Sequence, residues 1–334
     1  VQLSLEPLVG AIAAGNCVVL KPSAYAPHTS RAMAELIAAV FNPDWVTVIE
    51  GGRQQNAALL EQRFDYIFFT GSVDVGKMVM EKASRHLTPV TLELGGKSPV
   101  IVDETANIPL TARRLAFGKL LNAGQTCVAP DYLLLEQGLQ EKFLAHYRAA
   151  LEDFFPGGDL SQMARIVSRR HFAEKKALLA GQNAAIGGGW DEETGKISPT
   201  VLVDVDPSSP VMQEEIFGPV LPMLPFDDIG EAVALINDRE KPLALYYFGP
   251  EKTGREVLLH TSSGGACIND TIMQIANDRL PFGGVGNSGM GRYHGHDSFD
   301  AFSHRRGVVE SPARPDLPLR YPPYKGFRWV KKIL

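Results

Sequence analysis

The stretch that decides the fold runs from residue 66 to residue 97 and reads YIFFTGSVDVGKMVMEKASRHLTPVTLELGGK. Residues 66–69 are a short apolar run typical of a buried strand, and 70–72 form a glycine turn. A helix is predicted over 73–85 and a second strand over 90–94. Two strands joined by a helix in this way are the unit of a parallel sheet covered by helices.

The same alternation continues on both sides of this unit. The first part of the chain therefore predicts a doubly wound parallel sheet of the α/β class, and the second part predicts another α/β domain. Ligands of such sheets bind beyond the carboxyl ends of the strands, where Lys21, Gly51, Gly71 and Glu93 are expected. The other predicted helices are 1–15, 29–41, 57–63, 112–122, 139–154, 161–182, 231–237 and 253–260, and the other predicted strands are 16–20, 45–49, 131–135, 197–203 and 243–248.

Composition limits the classes of partner. The 334 residues allow two domains with an extra segment, and 45% hydrophobic with 21% charged residues is ordinary for a soluble globular protein. The net charge of −5 does not indicate a basic surface that would bind nucleic acid or an anionic membrane. No run of 18 apolar residues and no signal segment is found, and residues 328–334 are too short for a membrane helix. We expect neither nucleic acid nor a membrane as a partner.

The cysteines and histidines limit the chemistry further. Cys17, Cys127 and Cys267 form no Cys-x-x-Cys pair, and an odd count argues against a disulfide framework, which favours a reducing, cytoplasmic compartment. The eight histidines show no zinc-ligand spacing, and the nearest cluster is His294 with His296. We predict no metal site.

Two residues stand out as reactive. Cys127 lies in Gly-Gln-Thr-Cys-Val-Ala-Pro, a small-residue turn in which a thiol can act as a nucleophile, although most lone cysteines are structural. Glu93 lies in Glu-Leu-Gly-Gly-Lys at a strand end, where a carboxylate can act as a base or can simply pair with Lys97. Together they are typical of covalent thiol catalysis with a water-activating partner.

In these segments the chain resembles the aldehyde dehydrogenase superfamily, and its class 3-like branch in particular. The resemblance extends from residue 1 to about residue 325. It rests on several strings that occur in the family's order: Lys-Pro-Ser at 21–23, Phe-Thr-Gly-Ser at 69–72, the Glu93 and Cys127 segments, and Glu-Glu-Ile-Phe-Gly-Pro-Val at 214–220.

The resemblance implies NAD(P)-dependent oxidation of an aldehyde to a carboxylic acid. The Cys127 thiolate would attack the aldehyde to give a thiohemiacetal, hydride would leave to the nicotinamide, and a thioester would remain. Backbone N–H groups after the cysteine would hold the oxyanion, and water activated by Glu93 would release the acid. A carboxylate beside a thiolate predicts a raised pKa or a mobile side chain for Glu93.

The resemblance also implies the cofactor residues. The chain has no Gly-x-Gly-x-x-Gly motif, and the strand–turn–helix at Gly71, Ser72, Val75 and Gly76 is expected to hold the pyrophosphate at a helix N-terminus. Lys21 resembles the lysine that holds the adenosine ribose. Glu215 and Phe217 resemble the pair that holds the nicotinamide ribose and packs near its ring.

One position bears on the choice between NAD and NADP. The family usually has Glu after Lys-Pro-Ser, and this chain has Ala24. Ala24 lacks the carboxylate that accepts from a ribose 2′-hydroxyl and repels a 2′-phosphate. NAD is the expected cofactor, with NADP possible.

The resemblance further implies the domain organisation. Residues 1–93 are expected to form a partial dinucleotide-binding domain, 94–295 the catalytic domain, and 296–334 a return segment and oligomerisation tail, which favours a homodimer. Relative to the family, the first strand of the cofactor fold and a Trp-Asn-Tyr-Pro turn are missing before Val1, so we expect an N-terminally truncated fragment. Two alternatives remain open: a non-catalytic remnant that binds nucleotide or dimerises, and a semialdehyde or acylating dehydrogenase. Glu93 argues against the acylating reaction.

Overall fold

The computed structural model describes residues 1–316, 320–324 and 331–332. These residues fall into two compact units, Val1–Phe302 and Ser303–Leu334. The expectations for the tail fall partly on 317–319, 325–330 and 333–334, which lie outside the described residues. Within the described part of the chain, no helix is both long enough and apolar enough to cross a membrane.

Fourteen strands and eleven α-helices alternate along the described residues. The strands are β1 (Val18–Leu20), β2 (Val46–Val48), β3 (Ile67–Thr70), β4 (Val90–Glu93), β5 (Pro99–Val102), β6 (Tyr132–Glu136), β7 (Asn183–Ile186), β8 (Trp190–Asp191), β9 (Lys196–Ile197), β10 (Thr200–Val203), β11 (Val220–Phe226), β12 (Ala244–Phe248), β13 (Gly265–Ile268) and β14 (Gly289–Met290). The helices are α1 (Gln2–Ala13), α2 (Pro27–Val40), α3 (Arg53–Leu60), α4 (Val73–Ser84), α5 (Ile108–Leu120), α6 (Gln140–Phe154), α7 (Arg169–Ala177), α8 (Pro210–Gln213), α9 (Ile229–Asn237), α10 (Glu251–His260) and α11 (Gly295–Ala301).

A seven-stranded sheet forms the centre of the larger unit. Its order is β13-β12-β5-β6-β11-β10-β7, and every pairing is parallel except that of β7 at one edge. Its strands are apolar along their whole length because both faces are covered. Val100 and Val102 of β5 pack into one apolar cluster, while Ile101 between them packs into the other. This arrangement confirms the predicted α/β class.

Two small sheets hold the N-terminal elements. β1 pairs with β2 and β3 pairs with β4, both in parallel, as the sequence predicts. β14 adds to β4 in the antiparallel direction, with Gly289 opposite Glu93. The glycine-rich segment near residue 289 therefore lies directly beside the strand that ends in Glu93.

Several element predictions were wrong or misplaced. The helix predicted over 161–182 is reduced to α7, because Ser168 caps the helix by accepting the His171 N–H, and the residues before it turn instead. The helix predicted over 57–63 begins earlier, since the Gln55 side chain accepts the Gly52 N–H at 2.9 Å and starts α3 there. Pro199 divides the strand predicted over 197–203 into β9 and β10.

Two central strands were missed for a common reason. β5 begins at Pro99 directly after the glycine-rich Glu93 segment, and β11 contains Pro222 and Pro225. Proline usually argues against a central strand because it cannot donate to the ladder. Both strands are nevertheless inner members of the seven-stranded sheet.

Candidate active site

The turn that presents Cys127 begins where α5 ends. Asn122, Ala123 and Gly124 have φ values of 52°, 54° and 74°, so three successive residues are left-handed and the chain reverses sharply. A Cβ at Gly124 would lie 2.2 Å from the Gly218 carbonyl oxygen. Only glycine allows this approach, and the cysteine turn therefore packs directly on the loop before β11.

Gln125 holds this turn in place. Its Oε1 accepts the Val167 N–H at 2.8 Å, and its Nε2 donates to the carbonyls of Asn122 and Arg165 at 3.0 and 3.1 Å. The glutamine of the Gly-Gln-Thr-Cys string is thus a structural residue that fixes the loop to its neighbour.

Cys127 is a half-buried free thiol. Burial, followed by the nearby Glu215 and Glu93 carboxyls, raises its pKa to about 12, while the N–H groups of Cys127 and Val128 oppose the rise. The predicted nucleophile therefore lies within electrostatic range of both predicted acidic residues, and its backbone N–H donors point at the sulfur.

Glu93 ends β4 and is only 2% exposed. Neither of its carboxyl oxygens has a hydrogen-bond partner among the described residues. Burial alone raises its pKa to about 9, which matches the expectation of a raised pKa. An ordinary buried carboxyl is hydrogen-bonded, so this one is unusual.

Lys97 does not pair with Glu93, and the structural alternative for Glu93 is therefore wrong. Lys97 Nζ donates to Asp131 at 3.0 Å and to the carbonyls of Val211 and Glu214, each at 2.9 Å. These three acceptors use the three N–H donors of the Lys97 ammonium group, and none of the three belongs to Glu93.

Asp131 is the acceptor that sequence reasoning missed. Its Oδ2 accepts the Ile216 N–H at 3.0 Å while its Oδ1 binds Lys97. One buried carboxylate thus joins the turn after Glu93, the segment after Cys127 and the loop that carries Glu215. Its place four residues after Cys127, at the start of a buried strand, is the signal that was available.

The Glu215 carboxyl lies against the turn after Glu93. A Cβ at Gly95 would come within 2.0 Å of Glu215 Oε2, and the Gly96 N–H donates to the same carboxyl. Burial, followed by the charge of Asp131, raises the Glu215 pKa to about 8. Phe217, two residues on, is exposed with a φ of 47°.

Lys119 is a second buried charge that the sequence analysis did not predict. Its burial lowers its pKa to about 8, and the charge of Asp131 opposes this change.

The glycine turn after β3 has the form expected of a phosphate cradle. The Gly71 N–H donates to the Glu93 carbonyl at 3.0 Å, which fixes the turn to the end of β4. Among the described residues, the Ser72 side chain caps none of the free N–H groups at the start of α4. These N–H groups, beside half-exposed Val75 and buried Gly76, fit a dinucleotide pyrophosphate.

Lys21 follows β1 at the carboxyl end of the other parallel pair. Its Nζ donates to the Pro22 carbonyl at 2.7 Å, and partial burial lowers its pKa. Ala24, three residues later, is exposed. The ammonium group of Lys21 and the uncharged side chain of Ala24 thus both belong to the segment that follows β1.

Comparison with known proteins decides the family. Residues 1–308 match the description "Aldehyde dehydrogenase family". The chain belongs to the aldehyde dehydrogenase family. It is 50% identical over 328 residues to "Aldehyde dehydrogenase, dimeric NADP-preferring" of Rattus norvegicus, covering 96% of this chain and 72% of the rat protein.

Two further relatives place this aldehyde dehydrogenase in the class 3-like branch. It is 50% identical over 331 residues to "Aldehyde dehydrogenase family 3 member B1" of Mus musculus, covering 97% of this chain and 70% of the mouse protein. The structure described as the substrate-bound state of Staphylococcus aureus AldH superposes with a TM-score of 0.96 at 47% identity, covering 99% of this chain and 74% of that one.

Family membership confirms the expected activity and cofactor class. The protein is an aldehyde dehydrogenase that oxidises an aldehyde with NAD or NADP. The aldehyde is therefore the substrate class.

Proposed function

We propose that Cys127 is the nucleophile of this aldehyde dehydrogenase and that Glu93 activates the hydrolytic water. The observation that carries the proposal is the Glu93 carboxyl, which is buried beside Cys127 with no partner among the described residues. Leaving a buried carboxyl unpaired costs free energy of folding. Such a cost is typical of a group reserved for a proton transfer.

The first half of the reaction forms a thioester on Cys127. The Cys127 thiol gives its proton to water and the sulfur bonds to the aldehyde carbon, whose C=O electron pair moves onto the oxygen. The N–H groups of Cys127 and Val128, which lie near the sulfur, would donate to this oxyanion. NAD(P)⁺, when bound, would supply positive charge that favours the thiolate and would accept the hydride that leaves the thiohemiacetal carbon as its C=O bond re-forms.

The second half consumes a water molecule. Glu93, in its ionised form, takes one proton from the water while the oxygen bonds to the thioester carbon. The carbon–sulfur bond then breaks, the thiolate leaves, and the carboxylic acid is released. The raised pKa of about 9 makes the ionised form of Glu93 a stronger base. It also lowers the fraction of Glu93 that is ionised near neutral pH.

The same proposal assigns the cofactor contacts. The first-turn N–H groups of α4 face the pyrophosphate, and Lys21 binds the adenosine ribose. The Glu215 carboxyl, near the sulfur and against Gly95, holds the nicotinamide ribose. The proposed cofactor-binding residues are Lys21, Gly71, Ser72, Val75, Gly76, Glu215 and Phe217.

The nucleophile is tested by substitution and by mass spectrometry. Cys127→Ala should abolish dehydrogenase activity, while Cys17→Ala, at an exposed position, should retain it. Peptide mapping after acid quench during turnover should place the acyl group on Cys127. An acyl adduct on Cys267 instead would overturn the assignment.

We also propose that NADP⁺ is used alongside NAD⁺. Ala24 is exposed after Lys21 and carries no charge to repel a 2′-phosphate, and the similar rat enzyme is described as NADP-preferring. Ala24→Glu should raise the KM for NADP⁺ by roughly tenfold more than the KM for NAD⁺, because a like charge then faces the phosphate. Equal changes for both cofactors would show that position 24 does not face the ribose.

A homodimer is the proposed assembly, supported by the description of the rat relative as dimeric. The proposed domain division is 1–93 for dinucleotide binding, 94–295 for catalysis and 296–334 for the return segment and oligomerisation tail. Sedimentation velocity of the purified protein should give the mass of two chains. A monomer at micromolar concentration would contradict the assignment of the tail.

A further inference from the structure

A line of hydrogen bonds ends on the residue that follows Cys127. The Tyr246 hydroxyl, on β12, donates to the Val128 carbonyl at 2.5 Å. Gln274 Nε2 donates to that hydroxyl at 3.2 Å, and Cys267 Sγ donates to Gln274 Oε1 at 2.8 Å. Every donor therefore points the same way, from Cys267 towards Val128.

The end of this line has no access to water. Tyr246 and Val128 are both fully buried. If the tyrosine hydroxyl were removed, the Val128 carbonyl would be left without this donor in an apolar cluster, and buried carbonyls adjust their backbone rather than stay unpaired. Gln274 Nε2 donates to the hydroxyl oxygen, which leaves the hydroxyl proton for the Val128 carbonyl.

Val128 belongs to the turn that orients the thiol. The Ala129 N–H donates to the Thr126 carbonyl at 2.9 Å and closes the turn, and the N–H groups of Cys127 and Val128 point at the sulfur. The Tyr246 hydroxyl lies within electrostatic range of both Cys127 and Cys267. The Val128 carbonyl shares its peptide plane with the Ala129 N–H, so a rotation of that plane would break the Ala129–Thr126 bond that closes the turn and would release Cys127 from its orientation.

We propose that Tyr246 is a positioning residue for Cys127, held in its orientation by Gln274 and Cys267. The proposal deepens the proposed function and rests on Cys127 being the nucleophile. Tyr246 touches neither substrate nor cofactor in this account, because it acts through the Val128 carbonyl.

The next residue of the same strand provides a matched control. Tyr247 is also fully buried, but it faces the opposite apolar cluster and its hydroxyl donates to Asp103. Tyr247→Phe removes a buried tyrosine hydroxyl from the same strand without touching the Cys127 turn. A general effect of losing such a hydroxyl would appear equally in both variants.

The test compares Tyr246→Phe with Tyr247→Phe in the purified enzyme. Tyr246→Phe should lower the pre-steady-state rate of acylation and the second-order rate of Cys127 alkylation by iodoacetamide by about tenfold or more, with the KM for aldehyde little changed. Tyr247→Phe should stay within about twofold of the parent. Equal rates in the parent and Tyr246→Phe, or equal losses in both variants, would overturn the proposal.

A second set of variants keeps the test informative if Tyr246→Phe fails to fold. Gln274→Leu should slow acylation in the same direction, and Cys267→Ser, which keeps a donor, should retain more of the rate than Cys267→Val. No difference between the two Cys267 variants, together with a parent-like Gln274→Leu, would overturn the proposal. Peptide mapping of the alkylated residue distinguishes failure of the Tyr246 proposal from failure of the Cys127 proposal. A label on a residue other than Cys127 contradicts the proposed function itself.

Discussion

The two buried carboxyls of the site, Glu93 and Asp131, are buried to the same extent but differ in their hydrogen-bond partners. Glu93, at the end of β4, is 2% exposed and Asp131, before β6, is 3% exposed. Glu93 has no hydrogen-bond partner among the described residues, whereas Asp131 binds the Lys97 ammonium and the Ile216 N–H. Glu93 belongs to a string that the sequence analysis singled out, whereas Asp131 directly follows the Cys127 string, and only Asp131 joins segments of the site.

The difference shows how the site divides its tasks. Asp131 and Lys97 hold three segments together, which is the work of a charge that stays paired. Glu93 stays unpaired at a cost in folding free energy, and a group kept in that state is free to exchange a proton. The comparison predicts that substitutions at the two positions will have opposite consequences.

The largest expected effect is the loss of turnover in Glu93→Gln. Without the base, thioester hydrolysis should slow by about 10²- to 10⁴-fold, while thioester formation continues. Stopped-flow measurement should show a burst of about one equivalent of reduced cofactor per site, followed by very slow turnover. Steady-state turnover equal to that of the parent would contradict the role of Glu93.

The next effect concerns stability at Asp131. Asp131→Asn should lower the free energy of unfolding by about 3–5 kcal/mol, because it leaves the Lys97 ammonium buried without its counter-charge. Urea unfolding of the variant and the parent measures this change. Adding Lys97→Met to Asp131→Asn should recover part of the loss. A loss below about 1 kcal/mol would mean that the pair does not hold the site together.

The smallest effect, when taken over a single pH unit, is a pH dependence of stability at Glu93. Its folded pKa of about 9 lies above the ordinary value of 4.5, so the folded state binds the proton more tightly than the unfolded state does. The stability of the parent should therefore fall as pH rises between these two values. The advantage of Glu93→Gln over the parent should grow by up to about 1.4 kcal/mol per pH unit in that window.

Denaturant unfolding at several pH values measures this advantage, and the difference from the parent cancels the other titrating groups. Glu61→Gln is the matched control, because Glu61 is an exposed carboxyl whose pKa is lowered by Lys82. Its difference from the parent should be flat above about pH 5. A flat difference for Glu93→Gln would show that Glu93 is not held protonated by burial.

The proposed site residues lie in short, contiguous strings, so the sequence could nominate them. Cys127, Glu93, Glu215 and Phe217 were each predicted from four to seven neighbouring residues. Lys119 was missed because a buried lysine has no local signature that separates it from a solvated one. Asp131 was missed because its one signal is its place after the Cys127 string, at the start of a buried strand. β5 and β11 were missed because their prolines oppose strand formation when the chain is considered without its neighbours.

The sequence by itself determined the α/β class and the aldehyde dehydrogenase resemblance, and it predicted Cys127 and Glu93 as the reactive residues, because residue type and order along the chain carry that information. Only the tertiary structure decided which charges are paired. Lys97 lies four residues from Glu93 and 34 from Asp131, yet it binds Asp131. The direction of a turn selects the partner of a side chain, and that direction depends on packing between distant segments such as Gly124 on Gly218.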